Sequence, residues 1–430
     1  MEDVNAKVFA DFFGDDSQEH NTAIVAGGAV YVVSGTAFNE SNPNDLICAK
    51  VWAEIEIGSP AQTVSVVFDT GSAALGVPPI DLTANGGVCQ MCEELWGDEV
   101  CQFPQCGPNV LFTDKTCVRG GYDPTASTTV SYLPSTDPDC GSISRKTSTN
   151  GRCQVATGYG DGAGRADWCN YGWQGDAATD TVTIGGKSAT GVPLIAITTL
   201  QQHFDTTVTQ AAGIWGAGFA LNNIRPNTFG PINCGVGDRL CTKQPAPMEV
   251  FLAHAGLPDE FSVCMGTATA PGALVLGGID PQYYDGAFMT ADFLEPYDYY
   301  KVNVTNVHVG AVESGTVVDG QYTPAVVDTG TDNMLLADDY YDAFFPPDLV
   351  GVSDLVCTTD DDCMLGLEIE AAGDGVPFII KAPGVVTCKN SRCHPTHVSK
   401  NGDEHMIGFA GMRAYYTHFD LENKTLGFAA

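Results

Sequence analysis

Two copies of one short motif carry residues that could do acid–base chemistry. Asp69-Thr70-Gly71-Ser72 follows the apolar run Val66-Val67-Phe68, and Asp328-Thr329-Gly330-Thr331 follows Ala325-Val326-Val327. Each copy is typical of a buried strand that ends in a glycine turn and leaves a carboxylate at its tip. An Asx turn would explain a single copy equally well. Two copies with matching flanks instead predict two equivalent half-molecules, each of which supplies one carboxylate.

A pair of carboxyl groups suits the hydrolysis of a peptide bond. The reaction needs a base that deprotonates water and an acid that protonates the carbonyl oxygen in the same transition state. Two carboxyl groups within hydrogen-bond reach cannot both ionise, because the like charge raises the pKa of one while that of the other falls. Such a pair holds one proton and supplies the base and the acid together.

Further motifs make the chain resemble the pepsin-like aspartic proteases from about residue 50 to its end. Tyr159-Gly160-Asp161-Gly162 resembles the flap hairpin that closes over substrate, and Ile184-Gly185-Gly186 resembles the strand that leaves it. Gly213-Ile214-Trp215-Gly216 and Met406-Ile407-Gly408 resemble the segments that pass behind each catalytic loop. The resemblance implies a mostly β, bilobal fold with an active-site cleft between the lobes. It also implies the shared proton, for which this family is the standard example.

The resemblance assigns roles to the residues of both motifs. Asp69 and Asp328 would be catalytic, with the shared proton assigned to neither of them. The threonines would bond to the opposite loop and keep the carboxylates coplanar, the glycines would let amide groups approach, and the hydroxyl residues would donate to the outer carboxylate oxygens. For each hydroxyl a local turn bond is the alternative. These supporting residues are Thr70, Gly71, Ser72, Thr329, Gly330 and Thr331.

The same resemblance suggests the substrate-binding residues. The flap tyrosine would exclude water and orient the scissile carbonyl together with backbone groups beside it, or it would simply be a cross-strand aromatic of a hairpin. A carboxylate after the second motif would favour a basic substrate residue. The candidates are Tyr159, Gly160 and Asp161 of the flap, Val67, Phe204 and Ile214 of an apolar wall beside the scissile bond, and Asp332.

One segment departs from the family pattern. Ala73-Ala74-Leu75-Gly76 stands where pepsin-like chains usually have Ser-Asn-Leu-Trp, so the tryptophan that normally receives the flap hydroxyl is missing. Either another group, such as Trp168 or Trp173, replaces it, or the flap moves more freely than usual.

Composition agrees with a loop-rich, mainly β protein. The 430 residues include 49 Gly and 24 Pro, and few stretches show helical periodicity. Alternating residues in 50–57 predict a strand with one buried face, and short helices are expected at 248–255 and 338–345. We expect a tail or propeptide remnant at 1–21, an N-terminal lobe at 22–257 with a cysteine-rich insert at about 86–169, and a C-terminal lobe at 258–430.

The charge balance limits the partners. With 53 acidic and 19 basic residues the net charge is −34, which argues against nucleic acid and anionic membrane surfaces as partners. Many of these carboxylates would be neutral at low pH, so the balance favours an acidic working environment. A solubilising or halophilic surface is the alternative.

Cysteine is abundant, with 16 residues, eight of them between Cys89 and Cys169. This density in a loop-rich stretch indicates disulfides and an oxidising compartment. The insert resembles, in position, the cysteine-rich inserts of nepenthesin-type and some protist aspartic proteases. Two further groups are expected to pair internally: Cys234 with Cys241, and Cys357, Cys363, Cys388 and Cys393 among themselves. The alternative for the insert is a zinc knuckle formed by Cys89, Cys92, Cys101 and Cys106.

Secretion or an acidic endomembrane compartment fits these features. Sequons begin at Asn39, Asn303 and Asn423, and a glycoprotein is expected. The apolar stretch 23–33 follows acidic residues and is predicted to be an N-terminal strand, not a signal peptide. The family resemblance implies that this strand joins a sheet with the C-terminal strands. No run of about 20 apolar residues predicts a membrane span.

The sequence therefore predicts a monomeric aspartic endopeptidase that acts on peptides or proteins and needs no metal or cofactor. A non-catalytic relative that uses the same fold as a binding or inhibitor-like module is the alternative. Such relatives typically lose an aspartate or a flanking glycine, and both motifs are intact here.

Overall fold

The computed structural model describes a large part of the chain. The described residues are 23–25, 28–34, 52–79, 121–137, 140, 146–147, 151–158, 172–200, 213–219, 246–265, 272–309, 312–313, 323–331, 333–345, 364–373, 375–382, 385–389, 392–395 and 397–430.

Strands dominate the described residues. They are β1 (Ala23–Val25), β2 (Gly28–Ser34), β3 (Trp52–Ile57), β4 (Gln62–Asp69), β5 (Leu75–Val77), β6 (Ser131–Tyr132), β7 (Lys146–Thr147), β8 (Cys153–Gly158), β9 (Gly172–Ile184), β10 (Lys187–Leu200), β11 (Gly213–Gly216), β12 (Glu260–Cys264), β13 (Ala273–Leu276), β14 (Met289–Asp292), β15 (Lys301–Val309), β16 (Val312–Glu313), β17 (Thr323–Val327), β18 (Met334–Leu336), β19 (Leu365–Ile369), β20 (Phe378–Ala382), β21 (Val386–Lys389), β22 (Arg392–Pro395), β23 (Val398–Lys400), β24 (His405–Ile407), β25 (Tyr416–Asp420) and β26 (Thr425–Ala429). The helices in the described part of the chain are α1 (Pro247–Ala255), α2 (Asp338–Phe344) and α3 (Phe409–Met412), with a 3₁₀ turn at Pro281–Tyr283. The expected mostly β, pepsin-like fold class is confirmed.

The chain divides into two compact units. One is Val51–Pro258, and the other combines Met1–Lys50 with Asp259–Ala430. In the second unit β2 pairs antiparallel with β13, in the same sheet as β25 and β26, so the N-terminal strand joins C-terminal strands as expected. The lobe boundaries at 22–257 and 258–430 stay a prediction.

Each unit contains a large sheet that carries one of the two motifs. In the first unit the strand order is β10-β5-β11-β4-β3-β9-β8-β7, with β6 paired to β9. In the second it is β20-β19-β15-β17-β24-β18-β23, with β16 paired to β15. The second unit also holds the sheet β1-β2-β13-β12-β25-β26-β14 and the hairpin β21–β22.

Side-chain alternation explains why β3 and β4 form a half-buried pair. Ala53, Ile55 and Ile57 are buried while Glu54 and Glu56 are exposed, which confirms the strand predicted there. The antiparallel register of β3 on β4 carries this apolar face to the end of β4, where the first motif begins.

Helix α1 confirms the helix expected near residue 248 and supports the first motif from behind. Pro247 occupies its first turn, and Gly256 ends it in the left-handed conformation with φ 69°. Phe251 is fully buried and meets Trp215 of β11 edge to face, with ring centroids 5.5 Å apart. The second predicted helix is confirmed as α2.

A disulfide joins Cys140 to Cys153 inside the cysteine-rich stretch. Both residues are buried in an apolar cluster that also contains Ala74, Val155 and Ile214. The remaining cysteines of that stretch, and with them the zinc alternative, lie outside the described residues. In the β21–β22 hairpin the register sets Cys388 opposite Cys393, while the pairing expected among the four C-terminal cysteines stays a prediction.

The described residues contain neither a membrane-spanning helix nor a cluster of metal-binding side chains. No helix there has the length and apolar character needed to cross a bilayer. No group of three or more His, Cys, Asp or Glu side chains there is placed to hold a metal ion.

We predict that the Cys140–Cys153 disulfide stabilises the first unit substantially. The double substitution Cys140→Ala, Cys153→Ala opens a loop with a sequence separation of 13 residues. It should therefore lower the free energy of unfolding by about 3 kcal/mol, measured by denaturant titration. Cys264→Ala is the control, because it removes a buried free thiol without opening a loop. A double variant no less stable than this control would contradict the prediction.

Candidate active site

The first motif places a carboxylate at the end of β4. Asp69 is only 5% exposed. Its Oδ1 accepts a hydrogen bond from the Gly71 N–H at 2.8 Å, and its Oδ2 accepts one from the Ser72 hydroxyl at 2.5 Å. One backbone donor and one hydroxyl therefore hold this carboxylate in a fixed orientation.

The second motif repeats this arrangement directly after β17. Asp328 is 7% exposed. The Gly330 N–H donates to its Oδ1 at 2.7 Å, and the Thr331 hydroxyl donates to its Oδ2 at 2.6 Å. Both loops thus use the same relative positions, the second and third residues after the aspartate, for the same two bonds. Both bonds orient the carboxylate, because one donor lies at each of its two oxygens.

A third strand lies between the two strands that flank each motif and pairs with both of them. In the first unit β11 lies between β4 and β5, parallel to β4 with Gly216 opposite Asp69 and antiparallel to β5 with Trp215 opposite Leu75. In the second unit β24 lies between β17 and β18 in the same way, with Ile407 opposite both Val327 and Met334. The expectation that these segments pass behind the two loops agrees with the observed pairing.

Backbone hydrogen bonds tie each loop to the segment that follows its third strand. The Ala217 N–H donates to the Asp69 carbonyl at 2.7 Å, and the Gly218 N–H donates to the Ser72 carbonyl at 2.7 Å. In the other unit the Asp328 N–H donates to the Ile407 carbonyl at 3.0 Å, and the Phe409 N–H donates to the Thr331 carbonyl at 2.7 Å. The aspartates are held by main-chain groups on both sides, so their side chains have little freedom to reorient.

Glycine is needed where each passing segment touches its loop. A Cβ atom at Gly216 would clash with the Ala74 amide nitrogen and lie 2.6 Å from the Ala73 nitrogen. A Cβ atom at Gly408 would clash with the Asn333 carbonyl oxygen and lie 2.6 Å from the Thr331 carbonyl oxygen. Real Cβ contacts are never this short with backbone atoms, so any other residue would push the loop away.

The remaining predicted site residues divide into two groups. Thr70 and Thr329 are fully buried, Val67 is half-buried, and Ile214 is 5% exposed and lies opposite Val67 in the β11–β4 register. Other predicted residues lie outside the described residues: Tyr159, Gly160, Asp161, Phe204, Asp332 and Trp168. Trp173 belongs to β9, and its side chain is likewise outside the description.

The two unusual alanines after the first motif are buried and well packed. Ala73 is 1% and Ala74 is 4% exposed, and Ala74 belongs to the apolar cluster around the Cys140–Cys153 disulfide. Next to the first aspartate loop, Ala74 therefore packs in one apolar cluster with the Cys140–Cys153 disulfide.

Sequence reasoning missed His405, which begins β24. The register sets His405 opposite Ala325 and Gly213 opposite Val66, so the two residues occupy equivalent positions in the two units. The imidazole is fully buried, its Nδ1 accepts the Ala337 N–H at 3.1 Å, and its ring meets Tyr340 at a centroid distance of 4.8 Å. Burial lowers the pKa of His405 to about 4. Aligning the two passing segments in sequence would have shown that a histidine stands where the other unit has glycine.

Comparisons with known proteins agree with this geometry. The family model described as eukaryotic aspartyl protease matches residues 51–137 and 144–430. Gastricsin of Callithrix jacchus is 22% identical over 401 residues, which cover 90% of this chain and 83% of the relative. Secreted aspartic protease 10 of Candida albicans is 26% identical over 403 residues, 90% of this chain and 73% of the relative. Renin of Rattus norvegicus is 26% identical over 324 residues, 72% of this chain and 60% of the relative.

We predict that Gly408→Ala disrupts the second loop. The added methyl group meets backbone oxygens of Asn333 and Thr331 that cannot move without breaking the loop. The free energy of unfolding should fall by about 3 kcal/mol, as expected for overpacking, when measured by denaturant titration. Gly366→Ala is the matched control, since its methyl would lie 3.0 Å from the exposed Ile379 side chain and 3.4 Å from the His308 Cβ, while the Ile380 carbonyl oxygen is 3.8 Å away. The prediction fails if both variants lose the same small amount.

We also predict that His405 makes the second unit less stable in acid. Its pKa is about 4 in the folded protein and about 6.5 when unfolded, so the unfolded chain binds the extra proton between these values. The free energy of unfolding should fall by about 3 kcal/mol as the pH drops from 6.5 to 4, and this contribution should not change further below pH 4.

The test measures unfolding at a series of pH values in His405→Asn and in His254→Asn. Asparagine keeps an acceptor near the Nδ1 position but does not titrate, so the His405 variant should show a shallower loss between pH 6.5 and 4. His254→Asn is the matched control, because it removes an exposed imidazole from the other unit. Equal slopes in the parent protein and both variants would reject the prediction.

Proposed function

The chain belongs to the eukaryotic aspartyl protease family, and we propose that it is an aspartic endopeptidase with Asp69 and Asp328 as its catalytic pair. The observation that carries this proposal is the repeated hydrogen-bond pattern of the two loops. Each loop holds a nearly buried carboxylate between a glycine N–H and a hydroxyl group. Two such carboxylates on equivalent strands are the parts that water-mediated peptide hydrolysis requires.

In the proposed mechanism the two carboxyl groups hold one proton and one water molecule. The ionised carboxylate removes a proton from the water, and the protonated carboxyl group donates its proton to the carbonyl oxygen of the substrate. Collapse of the tetrahedral intermediate then transfers a proton to the leaving nitrogen. Neither carboxylate forms a covalent bond to the substrate, so no acyl-enzyme arises.

The residues around each carboxylate would act by preorganisation. The N–H groups of Gly71 and Gly330 donate to Oδ1 of each aspartate, while the Ser72 and Thr331 hydroxyls donate to Oδ2. These groups are in place before substrate binds, so little reorganisation is needed as charge moves during the reaction. We propose Thr70 and Thr329, both fully buried, as the residues that keep the two loops aligned.

The substrate would be a peptide bound in an extended conformation through main-chain hydrogen bonds. We propose that Tyr159, Gly160 and Asp161 cover it as a flap. An apolar wall that includes Phe204 would lie beside the scissile bond. Of its other proposed members, Val67 is half-buried, and Ile214, opposite it on the neighbouring strand, is buried. Asp332 would favour a basic side chain in the substrate, and a peptide pair that differs only in Lys or Glu at that subsite tests this preference.

The working environment proposed here is acidic and oxidising. The net charge of −34, the Cys140–Cys153 disulfide and a relative named as a secreted protease all support it. The buried imidazole of His405 opposes acid, because the unfolded chain binds its extra proton as the pH falls from 6.5 to 4, which lowers the free energy of unfolding.

We predict that each of the two carboxylates, Asp69 and Asp328, is essential for proteolytic activity. Asp69→Asn and Asp328→Asn should each lower the rate of digestion of an unfolded protein by at least about a thousandfold between pH 3 and 6, because the pair then lacks either its base or its shared proton. A transition-state-analogue inhibitor of aspartic proteases should abolish the digestion by the parent protein.

Asp123→Asn is the matched control. Asp123 also accepts hydrogen bonds from a following N–H and hydroxyl, those of Thr125 at 2.8 and 2.6 Å, but it lies in an exposed turn with no second copy. This variant should keep the parent rate. If the parent protein digests nothing at any pH, even after its N-terminal segment is removed, the binding-module alternative is favoured. If the Asp69 variant retains full activity, the catalytic assignment is wrong.

A further inference from the structure

The two aspartate loops differ in the residue on the passing strand that lies near the hydroxyl donor, which is Ser72 in the first loop and Thr331 in the second. The Thr331 hydroxyl is 2.6 Å from Asp328 Oδ2 and 3.0 Å from the sulfur of Met406. Met406 lies opposite Val326 in the β24–β17 register, and Ile214 lies opposite Val67 in the equivalent place of the other unit. The residue that corresponds to Met406 is therefore an isoleucine, whose side chain has no hydrogen-bond acceptor.

This contact gives the Thr331 hydroxyl a choice of acceptors. A hydroxyl has one proton, a carboxylate oxygen is a strong acceptor, and a thioether sulfur is a weak one. The hydroxyl therefore serves Asp328 as long as Met406 remains a thioether. Any change that made the Met406 side chain a stronger acceptor would act directly on this bond.

Met406 is also open to such a change. It is half-buried, as are Met289 and Met364, whereas Met248, Met265, Met334 and Met412 are all at most 2% exposed. Cys264 is the free thiol among the described residues, and burial raises its pKa to about 12, so it provides very little of the reactive thiolate at acid pH.

We propose that Met406 is an oxidation site that controls the activity of the second loop, an inference that rests on the proposed protease function. A hydroperoxide is the oxidant. The sulfur lone pair attacks one peroxide oxygen, the O–O bond breaks, and a sulfur–oxygen bond forms. The sulfur loses two electrons, and the peroxide is reduced to water or an alcohol after proton transfer.

The sulfoxide oxygen competes with Asp328 for the Thr331 proton. The ionised carboxylate then loses one of its two local donors, so ionisation of the pair requires a higher pH. A hydrogen bond to a charged group typically contributes enough that activity should fall by about tenfold or more, with the acid limb of the pH profile shifted to higher pH. The first unit, with isoleucine at this position, should not respond in this way.

The experiment treats the full chain with hydrogen peroxide and follows two readouts. Peptide mass mapping measures sulfoxide at each methionine, and digestion of an unfolded protein gives the pH profile. Met406→Leu should resist peroxide relative to its own untreated rate. Met289→Leu, which replaces another half-buried methionine on a strand of the same unit, should stay as sensitive as the parent. A methionine sulfoxide reductase with its reductant should restore the parent rate and pH profile.

Three outcomes would overturn the inference. They are an unoxidised Met406 in treated protein, a Met406 sulfoxide with unchanged rate and pH profile, and a Met406→Leu variant as sensitive as the parent. Absence of digestion before any peroxide is added would reject the proposed function, and with it the control of activity. The sulfoxide map would then still decide whether Met406 is the oxidation site.

Discussion

The close passage of a glycine-bearing strand behind each aspartate loop is the constraint on which the rest of the structure depends. β11 and β24 each lie between the two strands that flank a motif, and Gly216 and Gly408 touch the loop backbone where no Cβ atom would fit. Main-chain hydrogen bonds then hold each aspartate from behind. Because the backbone is fixed, the short reach from each carboxylate to its glycine N–H and hydroxyl donors is fixed too.

The two units repeat this geometry but surround it differently. The passing strand of the first unit is supported by Phe251 of α1 and by the cluster around the Cys140–Cys153 disulfide. The passing strand of the second unit, β24, begins with the buried His405 and continues with the half-buried Met406. At the two positions that correspond to His405 and Met406, the first unit has Gly213 and Ile214, which neither titrate nor carry a sulfur atom. The second places a titratable ring and an oxidisable sulfur on the strand behind its carboxylate, so responses to acid and to peroxide are expected mainly there.

Acid has opposite effects on the proposed chemistry and on the fold. The carboxyl pair needs enough protons to keep one shared between its members, and a chain with a net charge of −34 loses self-repulsion as its carboxylates are neutralised. Burial of His405 acts against this, because protonation turns its Nδ1 from an acceptor into a donor that faces the Ala337 N–H. The pH range in which the proposed enzyme works is therefore set by two opposing requirements: the carboxyl pair must hold a proton, and His405 must remain neutral.

The sequence by itself determined the strand at 50–57, the two short helices at 248–255 and 338–345 and the two motifs, because each of these depends on neighbours along the chain. Alternation of apolar residues predicted β3, and Pro247 and Gly256 bracket α1 at the expected place. The flap, Phe204 and Asp332 lie outside the described residues and stay predictions. Only the tertiary structure decided that His405 is buried and that Met406 touches Thr331. Those facts depend on the register of β24 against strands about 70 to 80 residues earlier, which no local pattern encodes.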